Sequence, residues 1–296
     1  MKHLSTFKRP ARTTTIALAS AAAGIALTVP GLAMATISGQ SVPAPPAVPT
    51  SASQIQNIDQ VKTAIKGYYG DTVTSVADPV PNDPDGTFKG DGATVLLHQY
   101  GADSSYAHEV EGIAADAGKY LAHEAKPKQK HTGTPAILFD IDDTTLNTYS
   151  YEIYSNFVYN PTTNGYFVNA GSADVFPAVP GMVDLEHKAL AQGYEVFFLT
   201  GRPLAQTAGT LANLTDAGYT VDPSQVFLKD ASGATEPWLS SCAPTCTTVQ
   251  YKSLTRQHIE SLGYDIVANF GDQFSDLKGG FADQTYKIPN PMYYLP

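Results

Sequence analysis

Four short apolar segments alternate with helical patterns along the sequence, and this alternation limits the fold more than any other feature. The apolar segments have the length of buried strands and cover residues 136–140, 195–199, 225–228 and 266–270. The helical patterns, each followed by a glycine that is a common helix stop, cover about 182–192, 204–217 and 252–262. Strand, helix and strand at this spacing imply right-handed crossovers, so we predict an α/β fold with a parallel sheet.

The first apolar segment ends in a tight group of carboxylates, Asp140, Asp142 and Asp143. Like charges at this spacing repel each other unless a cation lies among them. Mg²⁺ suits such a site, because it prefers oxygen ligands and often shares them with a phosphate. The alternative interpretation is a strand that ends in a solvated acidic turn.

The second apolar segment runs into Thr200, Gly201 and Arg202. Thr200 can donate a hydrogen bond to a phosphoryl oxygen, and Gly201 lets the backbone approach an anion closely. Arg202 offers a planar fork that matches phosphate. The same residues could instead form an ordinary strand-to-helix turn capped by Thr200.

A lysine and two further acids complete the polar set. Lys252 opens the last helical pattern and Lys229 follows the third apolar segment, so either could place a point charge on phosphoryl oxygens. Asp272 and Asp276 follow the fourth segment at a spacing that could bring both carboxylates to one cation, although Asp272 could also simply cap a helix. Ligands bind at the carboxyl ends of parallel strands, so we expect these groups to converge.

Over roughly residues 105–296 these residues resemble the secreted acid phosphatases of the haloacid dehalogenase-like (HAD) superfamily, the group of plant acid phosphatases and bacterial class B enzymes. The resemblance is carried by Asp140-Ile141-Asp142-Asp143-Thr144, Thr200, Tyr251-Lys252-Ser253 and Gly271-Asp272-Gln273 with Ser275-Asp276. It favours Lys252 over Lys229. It implies a parallel, Rossmann-like sheet of HAD type flanked by helices, with a small cap insertion and an N-terminal helical extension.

The resemblance also implies a mechanism. Asp140 would be the nucleophile that forms an aspartyl-phosphate, and Asp142 the general acid and base. Mg²⁺ would be held by Asp140, the backbone carbonyl of Asp142, and Asp272, with Asp276 near the ion or paired with Lys252. The second aspartate argues for hydrolysis of phosphate monoesters, because attack on carbon needs no acid for an alkoxide leaving group. A phosphotransferase, or a non-catalytic binding or storage protein on the same fold, remains an alternative.

Residues 147–181 interrupt the first strand–helix step, where a small cap would lie. They contain Tyr149, Tyr151, Tyr154, Phe157, Tyr159, Tyr166, Phe167 and Phe176. Tyrosines there could stack on an aromatic or nucleoside leaving group. We expect Tyr149 and Tyr151, the closest to Asp142 in sequence, to contact the substrate, although most of these rings could instead pack the cap onto the core.

The N-terminus predicts export. A basic head, an apolar run over 16–29 and the small-x-small site at 33–35 form a signal peptide with cleavage after Ala35. The run is short and is broken by Pro30-Gly31, so a membrane anchor is the weaker reading. We predict a flexible lead-in, rich in Pro, Ala and Ser, over residues 36–54. An N-terminal extension follows over 55–104 and begins with a helix over 55–69. The phosphatase domain then covers 105–296 and begins with a helix over 105–125.

Charge and cysteine content narrow the partners. The chain carries a net charge of −10, and cleavage after Ala35 would remove four of its 18 basic residues and no acids, which leaves a charge of −14. Nucleic acid polymers are then poor partners, and small soluble substrates are favoured. Cys242 and Cys246 are the only cysteines, and in an exported protein we expect them to form a disulfide.

Overall fold

The computed structural model describes residues 48–79, 94–126, 129–230 and 232–295. The predicted signal peptide of residues 1–35 and the first part of the predicted lead-in lie outside these described residues. Within the described ranges, no helix has the length and apolar character needed to cross a membrane.

The region predicted as an N-terminal extension contains a helix and a hairpin. Helix α1 (Ile58–Tyr69) follows Asn57, whose side chain accepts a hydrogen bond from the Asp59 N–H, and it ends at a left-handed Gly70. Strands β1 (Thr72–Ala77) and β2 (Thr94–Gln99) pair antiparallel. The helix is close to the predicted 55–69, but the strands were not predicted, because most β1 side chains are exposed and form no apolar pattern.

Five parallel strands form the main sheet, in the spatial order β5-β4-β3-β6-β7. They are β3 (Thr134–Phe139), β4 (Glu195–Pro203), β5 (Val226–Lys229), β6 (Tyr264–Gly271) and β7 (Gln284–Lys287). The predicted α/β fold with a parallel sheet is confirmed. Strand β7 was not predicted, because it is a short edge strand of half-buried side chains without an apolar run.

Helices flank the sheet, and those in the connections between strands agree with the predicted patterns to within a few residues. The longer ones are α2 (Ser105–Glu124), α5 (Met182–Ala191), α6 (Thr207–Asp216) and α7 (Thr248–Ser261). The segment predicted as a cap contains α3 (Tyr149–Tyr154) and α4 (Pro161–Asn169), and a short α8 (Phe274–Leu277) follows β6.

The alternation of side chains along β3 explains where the polar site lies. Ile137 and Phe139 pack into the core on one face of the sheet, while Leu138 packs on the other face with Tyr251 of α7. Both faces of the strand are therefore apolar throughout. The first carboxylate, Asp140, comes only where the strand ends, at the edge from which ligands approach.

The connection from β5 to α7 fixes the start of α7. Cys242 and Cys246 are joined there by a disulfide. Next to it, the Thr247 side chain accepts a hydrogen bond from the Gln250 N–H, and the Gln250 side chain accepts one from the Thr247 N–H. This reciprocal cap starts the helix at Thr248 and places Lys252 in its second turn.

Candidate active site

A cavity of about 290 Å³ opens at the carboxyl ends of β3, β4 and β6. Its wall contains eight of the ten residues that the sequence predicts for catalysis, substrate or metal, namely Asp140, Asp142, Thr200, Gly201, Arg202, Lys252, Asp272 and Asp276. Residues that are up to 136 positions apart in sequence therefore meet in one place, as expected for a parallel sheet.

Lys252 joins two of the carboxylates. Its Nζ lies 2.5 Å from Oδ1 of Asp140 and 3.0 Å from Oδ1 of Asp276, and it also donates to the carbonyl oxygen of Leu199. Burial alone would lower the pKa of Lys252, but the charges of Asp140 and Asp276 outweigh that effect and raise the pKa. The lysine is therefore a fixed positive charge in the cavity.

Lys229, the rival for this role, lies elsewhere. Its Nζ is 5.8 Å from the centre of the Tyr251 ring, and it is not among the described residues that line the cavity. Of the two lysines, only Lys252 is within reach of a group bound beside Asp140.

The carboxylates of Asp140, Asp272 and Asp276 form a buried cluster, with one oxygen of each within 4.8 Å of the others. Burial and the neighbouring carboxylates raise the pKa of Asp140, and they raise the pKa of Asp272 to about 8. Asp272 is nevertheless held in one orientation, because its Oδ2 accepts hydrogen bonds of 2.6 Å from the side chains of Gln273 and Asn290. Such a cluster takes up either protons or a cation.

The donor set fits a hard divalent cation, since every candidate ligand atom is a carboxylate or carbonyl oxygen. Asp276 is already engaged on both sides, however. Its Oδ1 faces Lys252, and its Oδ2 accepts the Gln273 N–H at 2.9 Å. Of the two roles expected for Asp276, the geometry favours the partner of Lys252, which leaves Asp140 and Asp272 as the side chains that could hold the ion.

Arg202 lines the cavity, and its guanidinium is paired with Asp142. Its Nε lies 3.1 and 3.0 Å from the two carboxylate oxygens, and its Nη2 lies 2.6 Å from Oδ1. The buried guanidinium also donates to Oγ1 of Thr210 through Nη1. This differs from the predicted contact between Arg202 and phosphate, because a fork that fits phosphate fits a nearby carboxylate equally well.

Thr200 and Gly201 lie in the last part of β4 and line the cavity. The buried Thr200 hydroxyl accepts the Arg202 N–H at 3.1 Å, so its own proton remains available to a ligand. A Cβ built on Gly201 would meet no atom within 4 Å. The space beside this backbone is therefore open, which is what close approach of an anion requires.

Tyr149 and Tyr151 do not line the cavity, and the prediction that they contact the substrate is corrected here. Both rings are buried. Tyr149 stacks on Tyr69 with 4.5 Å between ring centres and donates to Asp71. Tyr151 packs edge-on to Phe167 and donates to a backbone carbonyl of the cap. Closeness to Asp142 in sequence misled the prediction, because α3 directs these two rings into the core, where burying their area stabilises the cap.

Two other aromatic residues reach the cavity from the connection between α3 and α4. Phe157 and Tyr159 line its wall, and Tyr159 is 68% exposed. Glu152 of α3 lines it as well. Burial and the charge of Asp142 raise the pKa of Glu152 to about 7. The sequence analysis counted both aromatic residues in the cap but gave them no role, and it did not single out Glu152.

Asp143 ties three parts of the chain together. Its Oδ2 accepts hydrogen bonds from the hydroxyls of Thr148, at 2.6 Å, and Tyr293, at 2.9 Å. Its Oδ1 accepts the Thr148 N–H, and its backbone is left-handed, with φ of 56°. Burial raises its pKa to about 7. Asp143 belongs to the acidic run that follows the first apolar segment, so the sequence indicates it. Tyr293 does not follow an apolar strand, and a search for polar residues at strand ends could not have found it.

Comparison with known proteins gives the family of this chain. Residues 93–296 match the model of the HAD superfamily, subfamily IIIB (Acid phosphatase). Acid phosphatase 1 of Solanum lycopersicum is 32% identical over 203 residues, which cover 67% of this chain and 73% of the tomato protein.

Other relatives are plant proteins with different names. The stem 28 kDa glycoprotein of Glycine max is 36% identical over 163 residues, 53% of this chain. Vegetative storage protein 1 of Arabidopsis thaliana is 30% identical over 162 residues, 54% of this chain. The chain spans 59% of the length of the soybean protein and 55% of that of the Arabidopsis protein.

The fold also matches a solved structure. The class C acid phosphatase from Bacillus anthracis superposes with a TM-score of 0.50 at 21% identity, over 64% of this chain and 80% of the bacterial chain. At this identity the likeness concerns the fold. The family rests on the match over 93–296 and on the tomato relative: the chain belongs to the acid phosphatase family of HAD subfamily IIIB.

Proposed function

We propose that this protein is an exported, Mg²⁺-dependent acid phosphatase that hydrolyses small phosphate monoesters through an aspartyl-phosphate on Asp140. One observation carries the proposal. Asp140 lines a cavity with its carboxylate 2.5 Å from a buried lysine, and a second aspartate, Asp142, lines the same cavity. A nucleophile, a fixed cation and a candidate proton donor are the parts that phosphoryl transfer requires.

In the proposed reaction, a carboxylate oxygen of Asp140 attacks phosphorus while the bond from phosphorus to the leaving oxygen breaks. Asp142 gives that oxygen its proton. In the second step, Asp142 takes a proton from water, the water oxygen attacks phosphorus, and the Asp140 carboxylate is released with inorganic phosphate. Lys252 and the Thr200 hydroxyl bind the phosphoryl oxygens in both steps.

Asp140, Asp272 and the backbone carbonyl of Asp142 would hold the cation. When bound, it would offset charge on the phosphoryl oxygens and among the carboxylates. Burial and the neighbouring carboxylates raise the pKa of Asp272 to about 8, and a cation bound beside it would favour its ionised form.

Two alternatives use the same fold. The likeness to a vegetative storage protein favours a non-catalytic role. A storage protein, however, has no need of Asp140, Asp142 and Lys252 together in one cavity. A phosphotransferase would need all three residues and would differ only in passing phosphate to an alcohol or nucleoside. Hydrolysis is favoured because it needs no acceptor site beyond the cavity described.

A panel of phosphomonoesters, assayed on the purified mature protein with EDTA and with excess Mg²⁺, tests the proposal. We expect release of phosphate only with the metal, and loss of nearly all turnover in Asp140→Asn, which keeps the shape and removes the attacking charge. Adding glycerol as acceptor separates transfer from hydrolysis. Full activity in EDTA, or substantial turnover by a folded Asp140→Asn variant, contradicts the proposal.

Export is tested separately. The protein is expressed in a bacterial host with residues 1–35 present, and the protein recovered outside the cytoplasm is sequenced from its N-terminus. A new N-terminus at Thr36 supports the proposed cleavage, whereas an intact Met1 in an exported protein contradicts it.

A further inference from the structure

Beyond the phosphoryl end, the cavity wall is neutral apart from one acid. Apart from the eight predicted site residues, the described residues of the wall are Thr148, Glu152, Phe157, Tyr159, Asn164, Pro203, Gln206, Thr248, Gln273, Tyr293 and Leu295. Two cations line the cavity among the described residues, and both are paired with carboxylates: Lys252 with Asp140 and Asp276, and Arg202 with Asp142. No described cation of the wall is left to receive a second negative group on a substrate.

Among the described residues in this part of the cavity wall, Glu152 is the one acid. Its side chain belongs to α3 and is more than nine-tenths buried at the cavity wall. Within the described part of the chain, its carboxyl group has neither an ion pair nor a hydrogen-bond donor, and the charge that acts on it is that of Asp142. A carboxyl group in this setting interacts strongly with charge on a ligand, because little water is present to screen it.

We propose that Glu152 selects the alcohol part of the substrate. It admits phosphate monoesters of neutral or cationic alcohols, and it disfavours those whose alcohol part bears a carboxylate or a second phosphate. This inference rests on the proposed phosphatase function and adds the substrate class to it. Selection of this kind works by repulsion of the wrong substrate, without any new contact to the right one.

Glycerol 3-phosphate and 3-phosphoglycerate form a matched pair of substrates, since they differ chiefly in a hydroxymethyl group against a carboxylate. The kcat/KM values of both are measured at about pH 8.5. This pH lies above the raised pKa of Glu152, about 7, so that its carboxyl group is ionised. We expect the wild-type protein to prefer glycerol 3-phosphate about tenfold or more. In Glu152→Gln we expect that preference to shrink at least about fivefold through faster turnover of 3-phosphoglycerate.

Two further variants serve as controls. Gln206→Glu adds a carboxylate to the same wall and should increase the preference, which tests the idea in the opposite direction even if Glu152→Gln folds poorly. Glu195→Gln removes one negative charge at the start of β4, the end of the strand away from the cavity, and should leave the preference unchanged.

The outcomes separate the two proposals. If the wild-type protein hydrolyses neither substrate nor any other phosphomonoester, the proposed function fails. If it hydrolyses them but shows no preference, or if the preference is the same in the wild-type, Glu152→Gln and Gln206→Glu proteins, the role of Glu152 is overturned and the phosphatase function stands.

Discussion

Arg202 contacts Asp142 through three nitrogen–oxygen distances of 2.6 to 3.1 Å, and these contacts fix where the second aspartate of the first motif points. A carboxylate that moves a proton must be aimed at the leaving oxygen before it can act. We therefore expect Arg202 to position Asp142, although its residue type alone suggests a ligand for phosphate.

The Arg202→Lys variant tests this role. It keeps the positive charge but removes the planar fork, so Asp142 should lose its fixed orientation. We expect kcat for an alkyl phosphate to fall about tenfold or more, and kcat for 4-nitrophenyl phosphate, whose leaving group needs no proton, to fall less than about threefold. Equal losses on both substrates would instead indicate that Arg202 binds the phosphate directly.

The two lysines give a second comparison at the scale of single residues. Lys252→Ala removes a charge that lies 2.5 Å from Asp140, and we expect kcat to fall by about 10² to 10³. Lys229→Ala removes a charge outside the cavity wall and should change kcat less than about threefold.

Stability has to be measured alongside in the lysine variants, because Lys252→Ala leaves buried carboxylates without their partner, at a cost of about 3–5 kcal/mol. Kinetics are therefore recorded well below the midpoint of thermal unfolding. A larger loss in Lys229→Ala than in Lys252→Ala would transfer the role to Lys229.

At the scale of elements, the aromatic residues of the predicted cap fall into two groups, those buried in the core and those at the cavity wall. Helix α3 buries Tyr149 and Tyr151, whereas the connection to α4 presents Phe157 and Tyr159 to the cavity. Rings that pack should affect folding, and rings at the wall should affect choice of substrate.

Tyr151→Ala and Tyr159→Ala distinguish the two tasks. We expect Tyr151→Ala to destabilise the fold by about 3–5 kcal/mol, measured by chemical denaturation, without altering the ratio of kcat/KM for aromatic and alkyl phosphates. Tyr159→Ala should alter that ratio and leave stability nearly unchanged. A changed ratio in Tyr151→Ala alone would restore the original expectation for this residue.

The sequence predicted the strands that contain a continuous apolar run, because central strands such as β3, β4 and β6 are covered on both faces and bury most of their side chains. The edge strand β7 and the β1–β2 hairpin lack that signal. The site follows the same rule. Asp140 and Asp272 could be predicted because each directly follows a strand, and Thr200 because it follows the apolar run of β4. Tyr293 and Asn290 reach the site through the path of the chain after β7, which no local pattern encodes.

At the scale of the whole molecule, the acid cluster links protons to stability. The folded pKa of Asp272 is about 8 and that of Asp143 about 7, both above the unfolded value of about 3.9. Between these values the folded state holds more protons than the unfolded state. These two groups lower the free energy of unfolding as the pH rises, so we expect that of the metal-free protein to fall between about pH 4 and about pH 8.

This trend can be measured by urea denaturation in EDTA across that pH range. Added Mg²⁺ should recover stability most at the upper end, where the carboxylates are ionised and the cation replaces protons. The Asp272→Asn variant, which has no charge to bury at that position, should show a shallower dependence on pH and a smaller gain from Mg²⁺. A metal-free protein whose stability rises over this range would contradict the expectation.

The C-terminal segment bears on how the protein is best handled in the laboratory. Tyr293 donates to Asp143, the Leu295 N–H donates to the Gln273 side chain, and both residues line the cavity. Since Leu295, the last described residue, lines the cavity, a run of histidines fused at this end of the chain would begin near it and could compete for the divalent cation. Helix α1 contributes no residue to the described wall, so a cleavable tag joined ahead of it leaves the rim free.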